Sequence, residues 1–312
     1  MIRVTFLGTS AARPTVRRNV SALAIQREGD LLLFDCGEGT QRQMMRFSTG
    51  FSMSDVFFTH MHADHFLGII GLLRTLGLQG RTEPLRLYGP GGAKRILQDA
   101  VSLGVDRVPF EIAIEELEPG DAVERGEYQI RAFEARHGTS ALGYALEEHA
   151  RLGRFDVAKA RALGVPEGPM FGRLHRGESV EVEGRTISPQ ELVGSPRAGR
   201  KVVYTGDTSP SRETVAAAAG ADLLVHDGTF GAEEEQRARD THHSTAQGAA
   251  KVALDAGVQR LVLTHISARY ADNPVPLERE ARAVFPGAVV AHDGLVVEIP
   301  YPDGQTEEGG GP

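Results

Sequence analysis

Residues 60–65 carry the pattern His-x-His-x-Asp-His, which constrains this chain more than any other feature of its sequence. The apolar segment 55–58 before it predicts a short buried strand, and residues 66–73 after it predict the start of a buried helix. Three imidazoles and a carboxylate on one strand-to-helix turn suit a divalent cation better than a solvated surface turn. The sequence therefore predicts a metal site that includes His60, His62, Asp64 and His65.

Composition limits the class of protein. Of the 312 residues, 41% are hydrophobic, enough to bury a substantial core in one large α/β domain or two smaller domains. The 42 acidic and 34 basic residues give a net charge of −8, which is not the global basic footprint of a nucleic-acid binder but leaves room for a local one. No apolar run approaches the ~20 residues of a membrane span, and the first residues enter a strand pattern directly. Together with the single cysteine, Cys36, these features lead us to expect a soluble, cytoplasmic protein without a membrane partner.

Three further residues of ligand type share one placement. Strands and helices alternate through both halves of the sequence, which favours an α/β architecture. His137, Asp207 and His265 each lie just past the end of a predicted apolar strand. Because the carboxyl ends of strands gather on one edge of an open α/β sheet, we expect these residues to join the 60–65 cluster. Taken singly, each is equally compatible with an ordinary turn or core position.

Residues 150–195 form a predicted insertion of different character. Glycine, proline and arginine become frequent between about residues 145 and 200, and apolar periodicity fades. Residues 150–201 hold ten lysines or arginines and six acids, a local charge of +4 against −12 for the rest of the chain. Two interpretations stay open: a solvated insertion without a specific role, and a projecting arm that holds a polyanion. The last residues, 304–312, predict a disordered tail.

Short motifs along nearly the whole chain resemble those of one known family. They lie at 7–10, 14–19, 34–41, 60–65, 88–90, 137–138, 168–169, 206–208, 243–245 and 264–267. The pattern at 60–65 alone indicates the metallo-β-lactamase superfamily. The pair Gly168-Pro169 in the insertion and the triplet His243-Ser244-Thr245 point, within that superfamily, to the ribonuclease Z family.

The resemblance implies a single metallo-β-lactamase-like domain, 1–312, folded as an αββα sandwich with the inserted arm. It also implies two zinc ions per subunit, at sites that Mn2+ or Fe2+ could equally occupy. Two such cations can activate water and neutralise charge on phosphoryl oxygens. In the family's pattern, His60, His62 and His137 would bind one ion, Asp64, His65 and His265 would bind the other, and Asp207 would bridge both.

The resemblance also implies roles beyond metal binding. Asp64 would be ligand and proton acceptor together, and His243, just before a predicted helix with a hydroxyl cap, would stabilise the transition state or protonate the leaving oxygen. Where the family usually has a glutamate as partner of this histidine, the chain has Asp227, a shorter carboxylate. We expect Asp35 to brace a metal-bound histidine. We expect Cys36 to be a buried turn residue and not a nucleophile, because no base is spaced to activate it.

The implied activity is that of an endoribonuclease that removes the 3′ trailer from tRNA precursors and leaves a 3′-hydroxyl. The tRNA would be recognised by shape and backbone, with contacts from Arg17 and Arg18, which follow Val16 where the family often has lysine, and from Gly168 and Pro169. The family implies a homodimer in which the arm of one subunit serves the other active site, and no DNA partner. The alternatives are a superfamily hydrolase of small phosphodiesters, thioesters or lactams, and a non-catalytic RNA-binding chain, which the filled ligand positions disfavour.

Overall fold

The computed structural model describes residues 1–105 and 107–301. The predicted tail, 304–312, lies outside the described residues. Among the residues described, no helix is both long enough and apolar enough to traverse a membrane.

The elements of the described chain alternate as the sequence predicts. The strands, in chain order, are β1 (Ile2–Gly8), β2 (Ala22–Arg27), β3 (Asp30–Phe34), β4 (Asp55–Phe57), β5 (Leu85–Gly89), β6 (Ile112–Glu116), β7 (Ala122–Arg125), β8 (Tyr128–Glu134), β9 (Leu142–Glu148), β10 (Val180–Val182), β11 (Arg185–Ile187), β12 (Lys201–Tyr204), β13 (Leu223–Asp227), β14 (Leu261–Thr264), β15 (Val289–Val290) and β16 (Val296–Ile299). The helices are α1 (Thr40–Arg46), α2 (Ala63–Phe66), α3 (Gly68–Leu78), α4 (Ala93–Ser102), α5 (Val157–Ala162), α6 (Pro169–His175), α7 (Pro189–Leu192), α8 (Arg212–Ala218), α9 (Glu235–Asp240), α10 (Ala246–Ala256) and α11 (Val275–Val284). Short 3-10 turns also occur at Ala232–Glu234 and Ala268–Tyr270.

Two mixed sheets organise the larger part of the described chain. One has the strand order β16-β1-β2-β3-β4-β5-β6, and the other has the order β15-β14-β13-β12-β9-β8-β7. In the first sheet, neighbours from β16 to β3 are antiparallel and neighbours from β3 to β6 are parallel. In the second sheet, β12 to β15 are parallel. Consequently β3, β4 and β5 end on one edge of the first sheet, and β12, β13 and β14 end on one edge of the second.

Helices cover one face of each sheet. Apolar side chains of α1, α3 and α4 pack with those of β3, β4 and β5 in one core, and side chains of α8, α10 and α11 pack with those of β12, β13 and β14 in another. The helical period explains the packing, because in α10 the buried residues recur three and four positions apart. They are Ala246, Ala249, Ala250, Val252, Ala253 and Ala256.

Aromatic side chains join the two sheets face to face. Phe34, Phe57 and Tyr88 lie side by side on β3, β4 and β5, and their successive ring centroids are 5.1 and 4.8 Å apart. From the second sheet, Tyr144 approaches Phe57 at 5.3 Å and Tyr204 approaches Phe34 at 6.3 Å. All five rings are buried. The sheets are therefore the inner layers and the helices the outer layers, which confirms the predicted α/β fold of the αββα type.

Residues 125–129 and 147–200 form a second compact unit. It contains α5, α6, α7 and the hairpin of β10 and β11, around a small core of Ala160, Val165, Leu174, Val180, Ile187 and Leu192. Its helices are four to seven residues long, too short for a periodic signal, so the sequence showed only fading apolar periodicity there. The predicted insertion, 150–195, lies within this unit, and its role stays a prediction.

Candidate metal and catalytic site

The ends of strands bring the predicted ligands together. His60 follows β4, His137 follows β8, Asp207 follows β12 and His265 follows β14. The parallel register of β12, β13 and β14 places their carboxyl ends side by side. Ligand atoms lie within 4.8 Å of one another in three overlapping groups. Two consist of predicted ligands alone, the first of His60, His62, His137 and Asp207, the second of Asp64, His65 and His265, and the third joins Asp207 and His265 with Asp227 and His243.

The first group joins three imidazole nitrogens and a carboxylate. His60 Nε2 lies 3.0 Å from His62 Nδ1, and His137 Nε2 lies 3.2 Å from the same Nδ1. An oxygen of Asp207 lies 3.7 Å from His60 Nε2. A single proton cannot satisfy three nitrogens at once, because each hydrogen bond joins one donor to one acceptor. A cation accepts a lone pair from every nitrogen, so it matches this convergence.

The second group shares Asp207 with the first. Asp64 Oδ2 lies 3.6 Å from His65 Nε2 and 3.4 Å from His265 Nε2. Asp207 Oδ1 lies 3.3 Å from His65 Nε2, and Asp207 Oδ2 lies 3.3 Å from His265 Nε2. Since Oδ2 also faces His60, the carboxylate of Asp207 lies between the two groups. Both groups therefore offer metal-ligand atoms and face the same carboxylate.

Two buried atoms test the fit to a metal ion. Among the described residues, His65 Nε2 and Asp207 Oδ1 are buried and face each other at 3.3 Å, but neither makes a hydrogen bond of good geometry. Such atoms are rare, because leaving a buried polar atom unpaired costs about 1–3 kcal/mol. A divalent cation supplies the partner that both atoms lack, and imidazole nitrogens with carboxylate oxygens are donors that zinc accepts. The residues present therefore fit a metal centre.

Hydrogen bonds at Nδ1 of His65 and His137 leave Nε2 of each ring free to bind a metal. His65 Nδ1 donates to Asp35 Oδ2 at 2.8 Å, and His137 Nδ1 donates to the carbonyl of His242 at 3.1 Å. A proton on Nδ1 leaves Nε2 with a free lone pair. Outer partners of this kind fix both the tautomer and the orientation of a metal-binding histidine.

Asp35 holds His65 by a direct hydrogen bond and His60 through the hydroxyl of Thr59. It is buried and has a left-handed backbone with φ of 55°, a strain typical of functional positions. Its carboxylate accepts the backbone N–H of Thr59 and the hydroxyl of Tyr204, each at 2.8 Å, besides the ring of His65. The Thr59 hydroxyl also donates to Asp35 and lies 3.1 Å from Nδ1 of His60. Sequence reasoning missed Tyr204 and Thr59, because a buried residue at a strand end gives no signal of the carboxylate that it meets.

Electrostatics favour neutral His60 and ionised Asp207, the forms in which these residues can bind a metal. Burial and the neighbouring imidazoles hold the pKa of His60 well below its ordinary value, against the attraction of Asp207. Burial raises the pKa of Asp207, but the charges of His265 and His65 outweigh it and bring that pKa well below its ordinary value. At His65, Asp207 and Asp35 overcome burial and raise the pKa well above its ordinary value. A proton therefore competes with a cation for Nε2 of His65.

His243 lies beside the ligands with a carboxylate behind it. Its Nδ1 is 2.7 Å from Asp227 Oδ2, and its ring stacks on His265 with centroids 5.1 Å apart. Burial opposes a charge on this imidazole, but the charge and hydrogen bond of Asp227 raise the pKa of His243 to about 9. The shorter carboxylate thus reaches its histidine. At neutral pH the imidazole carries a proton, the form that a general acid needs.

Known proteins are similar to this chain in sequence. The beta-lactamase superfamily domain matches residues 31–155 and 185–266. Ribonuclease Z of Myxococcus xanthus is 56% identical over 305 residues, which cover 97% of this chain and 99% of that protein. Ribonuclease Z of Haloferax volcanii is 53% identical over 313 residues, which cover 99% and 98%. The chain belongs to the ribonuclease Z family.

Solved structures share the fold. Human tRNase Z, short form, is 28% identical with a TM-score of 0.70, over 96% of this chain and 99% of that chain. The metallo-beta-lactamase fold protein YhfI from Bacillus subtilis has a TM-score of 0.68 over 95% and 98%, and at 20% identity this likeness concerns the fold alone. The predicted resemblance to the ribonuclease Z family and the metallo-β-lactamase fold are thereby confirmed.

The structure separates the two arginines that the resemblance to ribonuclease Z assigned to substrate. Arg17 is exposed and pairs with Asp272 at 3.1 Å. Arg18 is only 5% exposed, and its Nη1 donates to Thr9 Oγ1 at 2.8 Å and to the carbonyl of Ala291 at 2.5 Å. The burial of this guanidinium supports a role in fixing the loop between β1 and β2. The phosphate contacts expected of Arg17 and Arg18 both stay predictions.

Asp293, which sequence reasoning missed, holds the same loop. Its Oδ1 accepts the hydroxyl of Thr9 at 2.7 Å. Its Oδ2 accepts the backbone N–H of Asn19 at 2.6 Å and Nε2 of Gln43 at 2.8 Å. An Asp-Gly pair close to the last strand is typical of a turn, so the pattern gave no reason to link it to residues near the start of the chain.

Gly168 and Pro169, the pair typical of ribonuclease Z, open helix α6 in the second unit. Gly168 has φ of 111°, a conformation that favours glycine, and Pro169 lies at the start of the helix, where its missing N–H costs little. Both are exposed. The pair therefore has a local structural reason, and its contact with substrate stays a prediction.

Gly206 lets the turns that carry ligands approach each other. Its φ is +60°, and a Cβ added there would lie 2.6 Å from Cβ of Thr59. Thr59 directly precedes His60, and Gly206 directly precedes Asp207. A position without a side chain is therefore required for the ligands of the two sheets to converge.

Cys36 is buried, as the sequence predicts. It is 0% exposed, and burial raises the pKa of its thiol to about 12. The thiolate that a nucleophile requires is therefore almost absent at neutral pH.

Proposed function

We propose that this protein is a metal-dependent endoribonuclease that removes the 3′ trailer from tRNA precursors and leaves a 3′-hydroxyl on the tRNA. Curated proteins named ribonuclease Z, more than half identical over nearly the whole chain, support this activity. The observation that carries the proposal is the meeting of all seven predicted ligand side chains, from distant parts of the sequence, in two adjoining groups.

Two zinc ions per subunit are the proposed cofactors, with manganese or iron as alternatives that the same donors accept. The bound metals would lower the pKa of water toward ~7 and neutralise charge on the phosphoryl oxygens. The shared position of Asp207 supports a pair of ions. One ion would be held by His60, His62 and His137, the other by Asp64, His65 and His265, with Asp207 common to both.

The protein's own side chains would move the protons. Asp64, whose Oδ2 also accepts the backbone N–H of Ala12 at 2.9 Å, is proposed to take the proton of the attacking water. His243 is proposed to donate its proton to the leaving 3′ oxygen, which produces the 3′-hydroxyl. Asp227, 2.7 Å from the imidazole, orients His243 and stabilises its charged form.

Precursor tRNA is proposed to bind through its backbone. The exposed Arg17 and the net charge of +4 on residues 150–201 support contacts with phosphates. Exposed Gly168 and Pro169 allow close approach of a nucleic-acid backbone. The working form is proposed to be a homodimer in which the arm of one subunit holds the tRNA at the active site of the other.

The deciding experiment incubates zinc-loaded protein with a 3′-extended tRNA transcript and maps the ends of the products. We expect a tRNA with a 3′-hydroxyl and a released trailer, and the mapped end also shows whether cleavage precedes or follows an encoded CCA. Asp207→Ala should abolish cleavage, because it removes the carboxylate between the two ligand groups. Asp99→Ala, on the exposed side of α4, is the matched control. An uncut transcript, or full activity of Asp207→Ala, would contradict the proposal.

A second experiment separates this activity from hydrolysis of small phosphodiesters. A variant that lacks 150–195 should lose cleavage of precursor tRNA and keep hydrolysis of a small chromogenic phosphodiester, which serves as its control for folding. Asp207→Ala should lose both. Unchanged tRNA cleavage without the arm would exclude the proposed role of these residues.

A further inference from the structure

The hydroxyl of Thr229 lies between His265, a predicted metal ligand, and Asp227, whose carboxylate contacts His243. Thr229 Oγ1 is 2.6 Å from Asp227 Oδ1 and 2.9 Å from His265 Nδ1. The backbone N–H of Thr229 also donates to Asp227 Oδ1 at 2.9 Å. The residue is 3% exposed and follows the end of β13, so water does not compete for these bonds.

The chemistry of the partners fixes the direction of both side-chain bonds. An ionised carboxylate has no proton to give, so the Thr229 hydroxyl donates to Asp227. The hydroxyl oxygen is then the acceptor for His265, whose Nδ1 must carry the proton. The opposite ring nitrogen, Nε2, therefore presents its lone pair toward Asp64 and Asp207, at 3.4 and 3.3 Å. This is the tautomer that binds a metal.

The same contacts direct the other carboxylate oxygen toward His243. Oδ1 of Asp227 is occupied by the backbone and the hydroxyl of Thr229. Oδ2 accepts the backbone N–H of Thr208 at 3.1 Å and lies 2.7 Å from His243 Nδ1. The Thr229 hydroxyl lies 3.4 Å from the same Nδ1, so the much shorter carboxylate contact prevails.

We propose that Thr229 is a positioning residue that couples metal binding to proton donation. Its hydroxyl selects the metal-binding tautomer of His265 and at the same time aims Asp227 at His243. The inference rests on the proposed function for the roles of the metal and of His243. Thr229 touches neither metal nor substrate, yet loss of its hydroxyl should weaken zinc binding and turnover together.

The test compares Thr229→Val, which keeps the shape and loses the hydroxyl, with Thr229→Ser, which keeps the hydroxyl. Zinc affinity is measured by titrating the metal-free protein against a chromogenic chelator, and kcat is measured on precursor tRNA. For Thr229→Val we expect zinc affinity and kcat each to fall about 10- to 100-fold, as for other outer partners of metal-bound histidines. Thr229→Ser should stay close to the wild type in both measurements.

Thr214→Val is the matched control for burying a valine in place of a threonine. Thr214 is buried in α8, and its hydroxyl shares a hydrogen bond of 2.9 Å with Ser211 Oγ, away from the metal site. It should lose thermal stability and keep zinc affinity. If Thr229→Val does not fold, Thr229→Ala replaces it in the comparison with Thr229→Ser.

Wild-type zinc affinity and kcat in Thr229→Val would overturn the proposal. So would equal losses in the valine and serine variants, because the effect would then not depend on the hydroxyl, which only the serine variant keeps. Failure of the wild-type protein to cleave precursor tRNA would count against the proposed function instead, and the zinc titrations would still test Thr229.

Discussion

Four histidines of the site each make a hydrogen bond through the ring nitrogen that faces away from the other ligands. Their outer partners differ in chemistry: two hydroxyls, one carboxylate and one backbone carbonyl. Because these bonds already orient the rings, the inner nitrogens face the other ligands and the rings need not turn to bind a metal. The pairs are His60 with Thr59, His65 with Asp35, His137 with His242, and His265 with Thr229.

Asp227→Asn should lower kcat for precursor tRNA by about 10²- to 10⁴-fold, the usual contribution of a general acid. Asp227 raises the pKa of His243 to about 9, so the imidazole stays protonated up to that pH. Without the charge, burial lowers that pKa, the proton is lost at lower pH, and residual activity should decline from a lower pH. The measurement is kcat between pH 6 and pH 9.

Asp227→Glu is the control for this prediction, because it keeps the charge and restores the residue usual in the family. It should retain most of the activity. Equal activity of the asparagine variant and the wild type would show that the carboxylate does not act on His243.

Cys36 should resist iodoacetamide in the native protein at pH 8 and react after denaturation. Its pKa of about 12 and its full burial leave little thiolate and no access. Mass spectrometry of the two samples gives the extent of modification. Cys36→Ala should keep kcat, and a folded but inactive Cys36→Ala would contradict the assignment of a turn residue.

At the scale of elements, the ends of strands assemble the site. A residue just before the last strand, β16, also helps to fix the loop between β1 and β2. Strands β4, β12 and β14 deliver ligands, and helix α10 is capped by the Thr245 hydroxyl, which accepts the N–H of Gly248 at 3.0 Å, directly after His243 and Ser244. The loop with Arg17 is fixed from the other end of the chain by Asp293. Its order therefore depends in part on this half-buried carboxylate.

Asp293→Ala should destabilise the protein by about 1–3 kcal/mol, because the partly buried N–H of Asn19 loses its acceptor and the amide of Gln43 loses one of its two acceptors. Urea unfolding measures the change. We also expect KM for precursor tRNA to rise while hydrolysis of a small phosphodiester is unchanged.

Asp272→Ala is the matched control, since it removes only the exposed ion pair with Arg17, which contributes little to stability. If Asp293→Ala unfolded at the same urea concentration as this control, the carboxylate would not hold the loop.

The sequence predicted the strands that carry ligands, because β4, β12 and β14 are mostly apolar and each is closely followed by a histidine or an aspartate. It could not predict the burial of Arg18, since the acceptor Ala291 lies 273 positions away in the sequence. Tyr204 meets Asp35 across 169 positions for the same reason. Local patterns reveal strands and clusters, whereas the outer partners of the ligands come from long-range packing.

At the scale of the molecule, one unit carries the candidate metal site and the other carries the basic segment. The residues that hold ligands belong to 1–124, 130–146 and 201–301, and the predicted arm belongs to 147–200. The candidate metal site and the proposed tRNA-binding arm can therefore be removed separately by mutation.

Mixing two inactive proteins should restore cleavage of precursor tRNA. Asp207→Ala keeps the arm and lacks the shared ligand, while the variant without 150–195 keeps the metal site and lacks the arm. In a mixed dimer, the arm of the first would serve the site of the second, with at most a fraction of wild-type activity. Co-expressed subunits with different tags supply the mixed dimer for the assay. No recovery in a purified mixed dimer would exclude an arm that acts in trans.

The contact between Gly206 and Thr59 has a consequence for how this site can change. With a Cβ only 2.6 Å from another Cβ, any larger residue at 206 forces the two turns apart, and even alanine would strain a φ of +60°. The turn that carries His60 and the turn that carries Asp207 therefore cannot move apart without separating their ligands. Selection from a library randomised at this codon should return glycine alone.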